Sequence, residues 1–285
     1  MTHHVKYEEH EEMVADEVGS GSDEDSGDED LIDDEKMDTM EKLNFDFEAF
    51  PPAPEDADQV NNFLTQIFLR TEIDYDNLSR AVVALTPFGS VIRTSEECVD
   101  EDNDDCMYGV ASVLVLNSDK NYGIGDLLLQ RAKKHATKTV AVQIEKLFKA
   151  ESSVGFVINE RMLKFPPQIA GPTLNALKQD ILAEKSLERV DTYLFILKIR
   201  ISDEELKKKA EDAEVQYDNE EEALLFEAFP ENIPFFQYPV QSDVESTSKF
   251  AASKKGNVTL RPYRRVCILT KSQLFHYCDT VSQAF

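Results

Sequence analysis

The stretch "SDKNYGIGDLLLQRA", residues 118–132, joins an apolar run to a helical pattern and places Gly123 and Gly125 behind Lys120. A helix starting on such a turn offers unpaired backbone N–H groups and the positive end of its dipole, which together suit a phosphate. The same glycines also suit a plain strand-to-helix turn that needs a positive φ. No Glu, His or Tyr can be assigned from sequence as an acid or base beside it, so no catalytic residue is assigned. A second candidate is Asn159, Glu160 and Arg161, which read either as a binding pair or as groups that cap and pin a turn. Cys98, Cys106, Cys267 and Cys278 form no CxxC pair, and the body holds two histidines, His135 and His276, so neither a zinc site nor any other metal is assigned. The cysteines read as reduced thiols of a nuclear or cytosolic protein.

The elements that must position these residues follow from periodicity. Val60, Phe63, Leu64, Ile67 and Phe68 share one face of a helix over about 55–69. "SRAVVAL" and "GSVIRT" read as strands, and "YGVASVLVLN" as a central one. Helices are expected over "DLLLQRAKKHA" and "TVAVQIEKLFKA", the latter with Val142, Leu147, Ile144 and Phe148 inward. "SVGFVIN" reads as a strand and "NERMLKF" as a turn. A helix entered through Pro166 and Pro167 follows, with Leu174, Leu177 and Ile181 buried and Pro172 in its first turn or before it. "RVDTYLFILKIRI" is a long strand, the insert "SDEELKKKAEDAEVQYDNEEE" is expected to be exposed and partly helical, and "ALLFEAF", "FFQYPVQ", "YRRVCILT" and "LFHYCDTV" read as terminal strands. The order points to an α/β (α+β) fold, a mixed central sheet flanked by helices, in one domain over 46–285 behind an acidic tail over 1–45.

Charge narrows the partners. The formal net charge is −26. Residues 1–49 hold 19 acids and 3 Lys, or −16, and the other 236 residues hold 37 acids and 27 bases, or −10. The tail is too polar to bury a core and is expected to be disordered; Ser20, Ser22 and Ser26 each have an acid three residues on and suit an acid-seeking kinase. Such a chain is a poor direct binder of nucleic acid, whose phosphates need Lys and Arg. It suits a basic protein, attracted over a Debye length of about 8 Å, although the acidity could serve solubility alone. The run "KFAASKKGNVTLRPYRRVCILTK", with seven bases and no acid, could pair internally, meet an import receptor or touch RNA. No apolar run reaches the roughly 20 residues of a membrane span, and no secretory signal is read at the N-terminus. Aromatic anchors for a partner are sought in Phe165, Phe235, Phe236 and Tyr238, each of which could instead be ordinary core.

Two resemblances add to this reading. The glycine turn resembles the cofactor loop of the GCN5-related acetyltransferases, Arg/Gln-x-x-Gly-x-Gly, with Lys120, Gly123 and Gly125 in its three places. The resemblance implies either an acyl-CoA-dependent transferase or a scaffold that keeps the architecture without the activity; no cofactor is assigned. The stretch "SVGFVINERMLKFPPQIAGPTLNALKQDI" is similar to the signature of the BCCIP family, here Val154, Gly155, Ile158, Asn159, Glu160 and Arg161, then Pro166, Pro167, Gln168, Ile169, Ala170 and Pro172. "NFDFEAFPP", "FGSVIR" and the basic strand-rich end agree in place. The family pattern does not include "KNYGIG", and the C-terminal third matches only in character. The resemblance implies a nuclear, non-enzymatic chaperone or adaptor with an acetyltransferase-like fold, one that could shuttle to the cytoplasm. Its implied client is a basic ribosomal protein of the large subunit, shielded during ribosome biogenesis, with a role in nuclear export. The alternative it implies is a cell-cycle and DNA-repair scaffold that binds a cyclin-dependent-kinase inhibitor and a recombination protein. For such a binding protein the residues read above as candidate partner contacts are Asn159, Glu160, Arg161, Phe165, Pro166, Pro167, Phe235, Phe236 and Tyr238.

Overall fold

The structure is a computed structural model that describes residues 4–9, 43–95, 106–117, 119–149, 153–163, 165–229, 233–245, 247–248 and 250–285. Most of the acidic tail and the loop over 96–105 lie outside the described residues; where the tail is described, at His4–Glu9 and 43–45, it is paired strand and not the expected disordered chain. Strand β1 (His4–Glu9) precedes β2 (Leu43–Phe50), α1 (Ala57–Phe68), α2 (Tyr75–Val83), β3 (Ser90–Thr94) and β4 (Met107–Leu116). Then come α3 (Ile124–His135), α4 (Lys138–Lys149), β5 (Val154–Arg161), α5 (Ala170–Ala183) and β6 (Thr192–Ser202). The chain ends with β7 (Gln216–Tyr217), α6 (Ala223–Ala228), β8 (Phe235–Pro239), β9 (Ser253–Lys255), β10 (Val258–Thr270) and α7 (Lys271–Ala284).

The strands form one mixed sheet in the order β1-β2-β3-β4-β5-β6-β10-β8, with β7 on β6 and β9 on β10. Every described pairing is antiparallel except β5 with β6. Strand period 2 sends alternate residues of β6 to opposite faces. Leu194 and Ile196 join the core under α1 to α4, while Tyr193, Phe195, Leu197, Ile199 and Ile201 join the core under α5 and α7. The expected mixed sheet flanked by helices is therefore present.

Several expected strands are helices. "SRAVVAL" lies in α2, which Asp74 starts by accepting from the Asn77 N–H at 3.3 Å and from the Asn77 side chain at 2.7 Å. The cap and a tertiary partner in α1 outweigh the strand preference of Val82 and Val83. "LFHYCDTV" lies in α7, opened by a capping box in which the Gln273 N–H donates to Thr270 Oγ1 at 3.2 Å and the Thr270 N–H donates to Gln273 Oε1 at 2.9 Å. "ALLFEAF" forms α6. In α4 the inward face is Val140, Ile144 and Phe148, spaced by four; Leu147 packs beside them and Val142 is 41% exposed. Pro172 falls in the first turn of α5, where its missing N–H disrupts no helix bond.

Candidate protein-binding site

The β5–β6 junction is where a parallel sheet would open, and the chain fills it with its own residues. Its ladder holds three pairs, Gly155↔Tyr193, Phe156↔Leu194 and Val157↔Phe195, an offset of 38. A Cβ on Gly155 would come within 2.5 Å of the Tyr193 ring, so only glycine allows this approach. Past Val157 the edge of β6 pairs with β7 instead, through Ile199↔Tyr217 and Arg200↔Gln216. At the same offset of 38, the Lys198 ammonium donates to the Glu160 carboxylate across the gap, both side chains being buried.

The segment after β7 completes the filling. The Asp218 N–H donates to the Lys198 carbonyl at 2.9 Å. Asn159 and Arg161 donate to the two oxygens of Glu221 at 3.2 and 2.6 Å, and Asn219 donates to Glu222 at 2.8 Å. Burial works against the Arg161 charge, but Glu221 outweighs it and the guanidinium pKa is raised. Burial, and then the Glu221 charge, push the Glu222 carboxyl well above its usual range. Burial likewise raises Glu160, more than Lys198 lowers it. Each buried ion carries a desolvation penalty of several kcal/mol, so these groups hold only as a set.

This corrects two expectations. Asn159, Glu160 and Arg161 are strand residues, not a turn, and at 2–3% exposure they present nothing to a partner in this conformation. The charged insert is exposed over much of 203–214, but its end, Asn219, Glu221 and Glu222, is core.

The glycine turn is a packing device. Gly123 has φ +84 and starts α3, and a Cβ there would sit 2.8 Å from the Glu72 carbonyl. A Cβ on Gly125 would sit 2.9 Å from Phe148. Two of the turn's N–H groups are already used: Gly123 donates to Asn121 Oδ1 at 3.0 Å and Ile124 to the Asn121 carbonyl at 2.7 Å. A cavity of about 530 Å³ adjoins the turn, but Glu72, Asp126 and Asp243 line it, and its two arginines are paired, Arg131 to Asp243 at 2.8 Å and Arg70 to Glu245. That lining disfavours a phosphate.

The remaining expected anchors divide by exposure. Phe236 and Tyr238 are each 2% exposed on β8, with Arg131 stacked over the Tyr238 ring, so they are core rather than surface anchors. Phe235 is half-buried beneath the Arg265 guanidinium. Phe165, Pro166 and Pro167 are half-buried on the loop between β5 and α5. The basic run is largely structural too. Arg264 is buried and donates to the Ile67 and Gln66 carbonyls at 2.8 and 2.6 Å, satisfying the C-terminal end of α1. Arg265 donates to Gln237, Arg261 pairs with Asp203, and Lys271 donates to the Leu187 carbonyl at 2.8 Å. Lys254 and Lys255 stay exposed on β9.

Strand register brings the described residues that flank the acidic segments to one end of the sheet. Glu9↔Leu43, Phe47↔Thr94, Arg93↔Met107 and Gly109↔Arg161 are neighbouring pairs at that end, and β6 runs parallel to β5 toward it. Residues 10–42, with 15 acids and 2 Lys, leave and return there, between Glu9 and Leu43. Residues 96–105, with 7 acids and no base, leave and return there, between β3 and β4. The insert leaves β6 there, with Glu204, Glu211, Asp212 and Glu214 exposed beside Lys207, Lys208 and Lys209, and the exposed Lys254 and Lys255 of β9 lie at the same end. Among the described residues the buried acids Asp56, Glu160, Glu221 and Glu222 equal in number the buried bases Arg161, Lys198, Arg264 and Arg265. The negative excess thus lies outside these eight, and register directs much of it to one end. Sequence reasoning found the acidic segments but had no register with which to bring them together.

Fold and site define a mixed α/β protein with a self-filled parallel junction and one acidic end. The model of the BCCIP family matches residues 42–231. "Protein BCCIP homolog" of Caenorhabditis elegans is 31% identical, covering 80% of this chain and 76% of that protein. "BRCA2 and CDKN1A-interacting protein" of Bos taurus is 29% identical, covering 85% and 84%. The crystal structure of BCP1 from Saccharomyces cerevisiae aligns with a TM-score of 0.52 at 18% identity, over 90% of this chain and 93% of that one. The chain belongs to the BCCIP family.

Proposed function

We propose that this protein is a non-enzymatic nuclear chaperone and adaptor that shields a basic ribosomal protein of the large subunit and supports its passage during ribosome biogenesis. The observation that carries this reading is that the residues flanking two acid-rich segments, 10–42 and 96–105, and the start of the charged insert lie at one end of the sheet. Exposed ion pairs are each worth about 0–1 kcal/mol. The acidic end therefore speeds encounter and rejects acidic partners, while apolar contacts hold the client. The filled β5–β6 junction supports a role in binding over one in transforming a substrate, because Asn159 and Arg161 are held on Glu221 and Lys198 on Glu160 in a buried position, with Arg161 Nε and Nη1 left without a partner among the described residues.

Co-expression with a basic large-subunit ribosomal protein tests the reading. The client stays soluble with the intact chain and precipitates with a variant whose acids over 96–105 are replaced by Ser and Asn. Equal solubility with both chains, or precipitation with both, removes the proposal. The name of the bovine relative supports a second reading, a scaffold for BRCA2- and CDKN1A-type proteins, which a partner survey from nuclear extract separates from the first.

A further inference from the structure

A third apolar cluster stands apart from the two main cores. Phe47, Ile92 and Ile169 are its buried floor, and Tyr108 and Phe165 are half-buried above them. The rings pack at centroid distances of 4.7 Å (Phe47–Phe165), 5.1 Å (Phe47–Tyr108) and 5.4 Å (Tyr108–Phe165). Such edge and stacked pairs add to area burial, so the rings form a fixed surface. A bulge creates it. Ile92 pairs with Gly109 but Arg93 with Met107, which skips Tyr108 and turns its ring to the side of Ile92 and Phe47. Met162, whose N–H donates to the Tyr108 carbonyl at 2.9 Å, is 41% exposed beside it. Pro166 and Pro167 stiffen the rim, so little entropy is lost when a partner settles on it. Helix α5 starts only at Ala170, leaving this corner to the loop.

We propose that Tyr108, Met162, Phe165, Pro166 and Pro167 form a docking ledge for an apolar side chain flanked by Lys and Arg in an extended segment of a basic protein. The choice of occupant comes from charge. The seven-acid loop is tethered at Ser95 and Cys106, the latter two residues from Tyr108, and the acidic tail joins β2 four residues from Phe47. An apolar anchor without flanking bases meets repulsion-free but unrewarded surroundings, and an acidic one is repelled. The ledge rests on the chaperone reading and specifies what the acidic end holds.

The test uses two fluorescent peptides of equal charge, KKRLFKKR and KKRSSKKR, titrated against the full chain at 0.1 and 0.5 M salt. The Leu-Phe peptide is expected to bind at least tenfold tighter at 0.5 M, where charge is screened. Met162→Glu and Phe165→Ser are each expected to abolish that preference and leave the Ser-Ser peptide within twofold of the intact protein. Met162 is exposed, so its variant folds, and circular dichroism confirms it. Equal affinity of the two peptides, with salt-sensitive binding of both, overturns the ledge and spares the acidic end. Binding of neither peptide overturns both.

Discussion

Two halves of one motif behave in opposite ways. All eight residues of β5, Val154 to Arg161, are buried, and the polar three among them are tied to Lys198 and Glu221. The next six positions, 162–167, hold an exposed Met162 and half-buried Phe165, Pro166 and Pro167. The family signature thus joins a structural clamp to a surface. Charged residues in a recognition motif need not touch a partner: here they close a sheet, and the apolar residues beside them face outward.

Breaking the clamp is expected to give the largest effect. Arg161→Ala leaves Glu221 buried without its partner and should cost about 3–5 kcal/mol of stability, read as a lower denaturant midpoint. The double replacement Arg161→Met with Glu221→Leu should recover most of that loss, since apolar pairs of similar volume often replace buried ion pairs without penalty. A double variant as unstable as the single one would show that the clamp is not a pair. Next, Gly155→Ala forces the Tyr193 ring aside and should cost about 1–3 kcal/mol, with part of it restored by Tyr193→Leu. No loss in Gly155→Ala would remove the close approach.

A smaller effect concerns pH. The folded Glu222 pKa lies well above the unfolded value of 4.5. The native state therefore holds a proton that the unfolded state releases, and this stabilisation is complete below about pH 4.5 and is lost as pH rises through the folded pKa. Glu222→Gln keeps an acceptor for Asn219 and should flatten that decline, so that the variant is the more stable one at neutral pH. Parallel stability curves from pH 4 to 8 would contradict the protonated Glu222. The smallest stability change belongs to the surface half: Met162→Glu should stay within about 0.5 kcal/mol of the intact protein, the opposite of the clamp.

The strands β3, β4, β5, β6, β8 and β10 and the helices α1, α3, α4 and α5 were legible because apolar spacing of 2 or 3.6 marks them, whereas β1 and β2, rich in acids, were not read as strands. The helical state of 79–85 and 274–281 was also written locally, in Asp74 and in Thr270 with Gln273, but β-branched and aromatic composition masks those caps. The roles of Asn159, Glu160 and Arg161 were not legible. A charged triplet inside a strand makes sense only with Lys198 and Glu221 opposite, 38 and 60 or more residues away in sequence. The bulge at Tyr108 was hidden for the same reason: register belongs to the pair of strands, not to either one.

The acidic end is the claim on which the functional account stands, and association kinetics test it most directly. Stopped-flow mixing with a basic large-subunit ribosomal protein should give an association rate that falls at least tenfold from 0.05 to 0.5 M salt. A variant carrying Ser and Asn for the seven acids over 96–105 should associate more slowly at low salt and converge with the intact chain at high salt. Identical rates for the two proteins at every salt concentration would contradict the account.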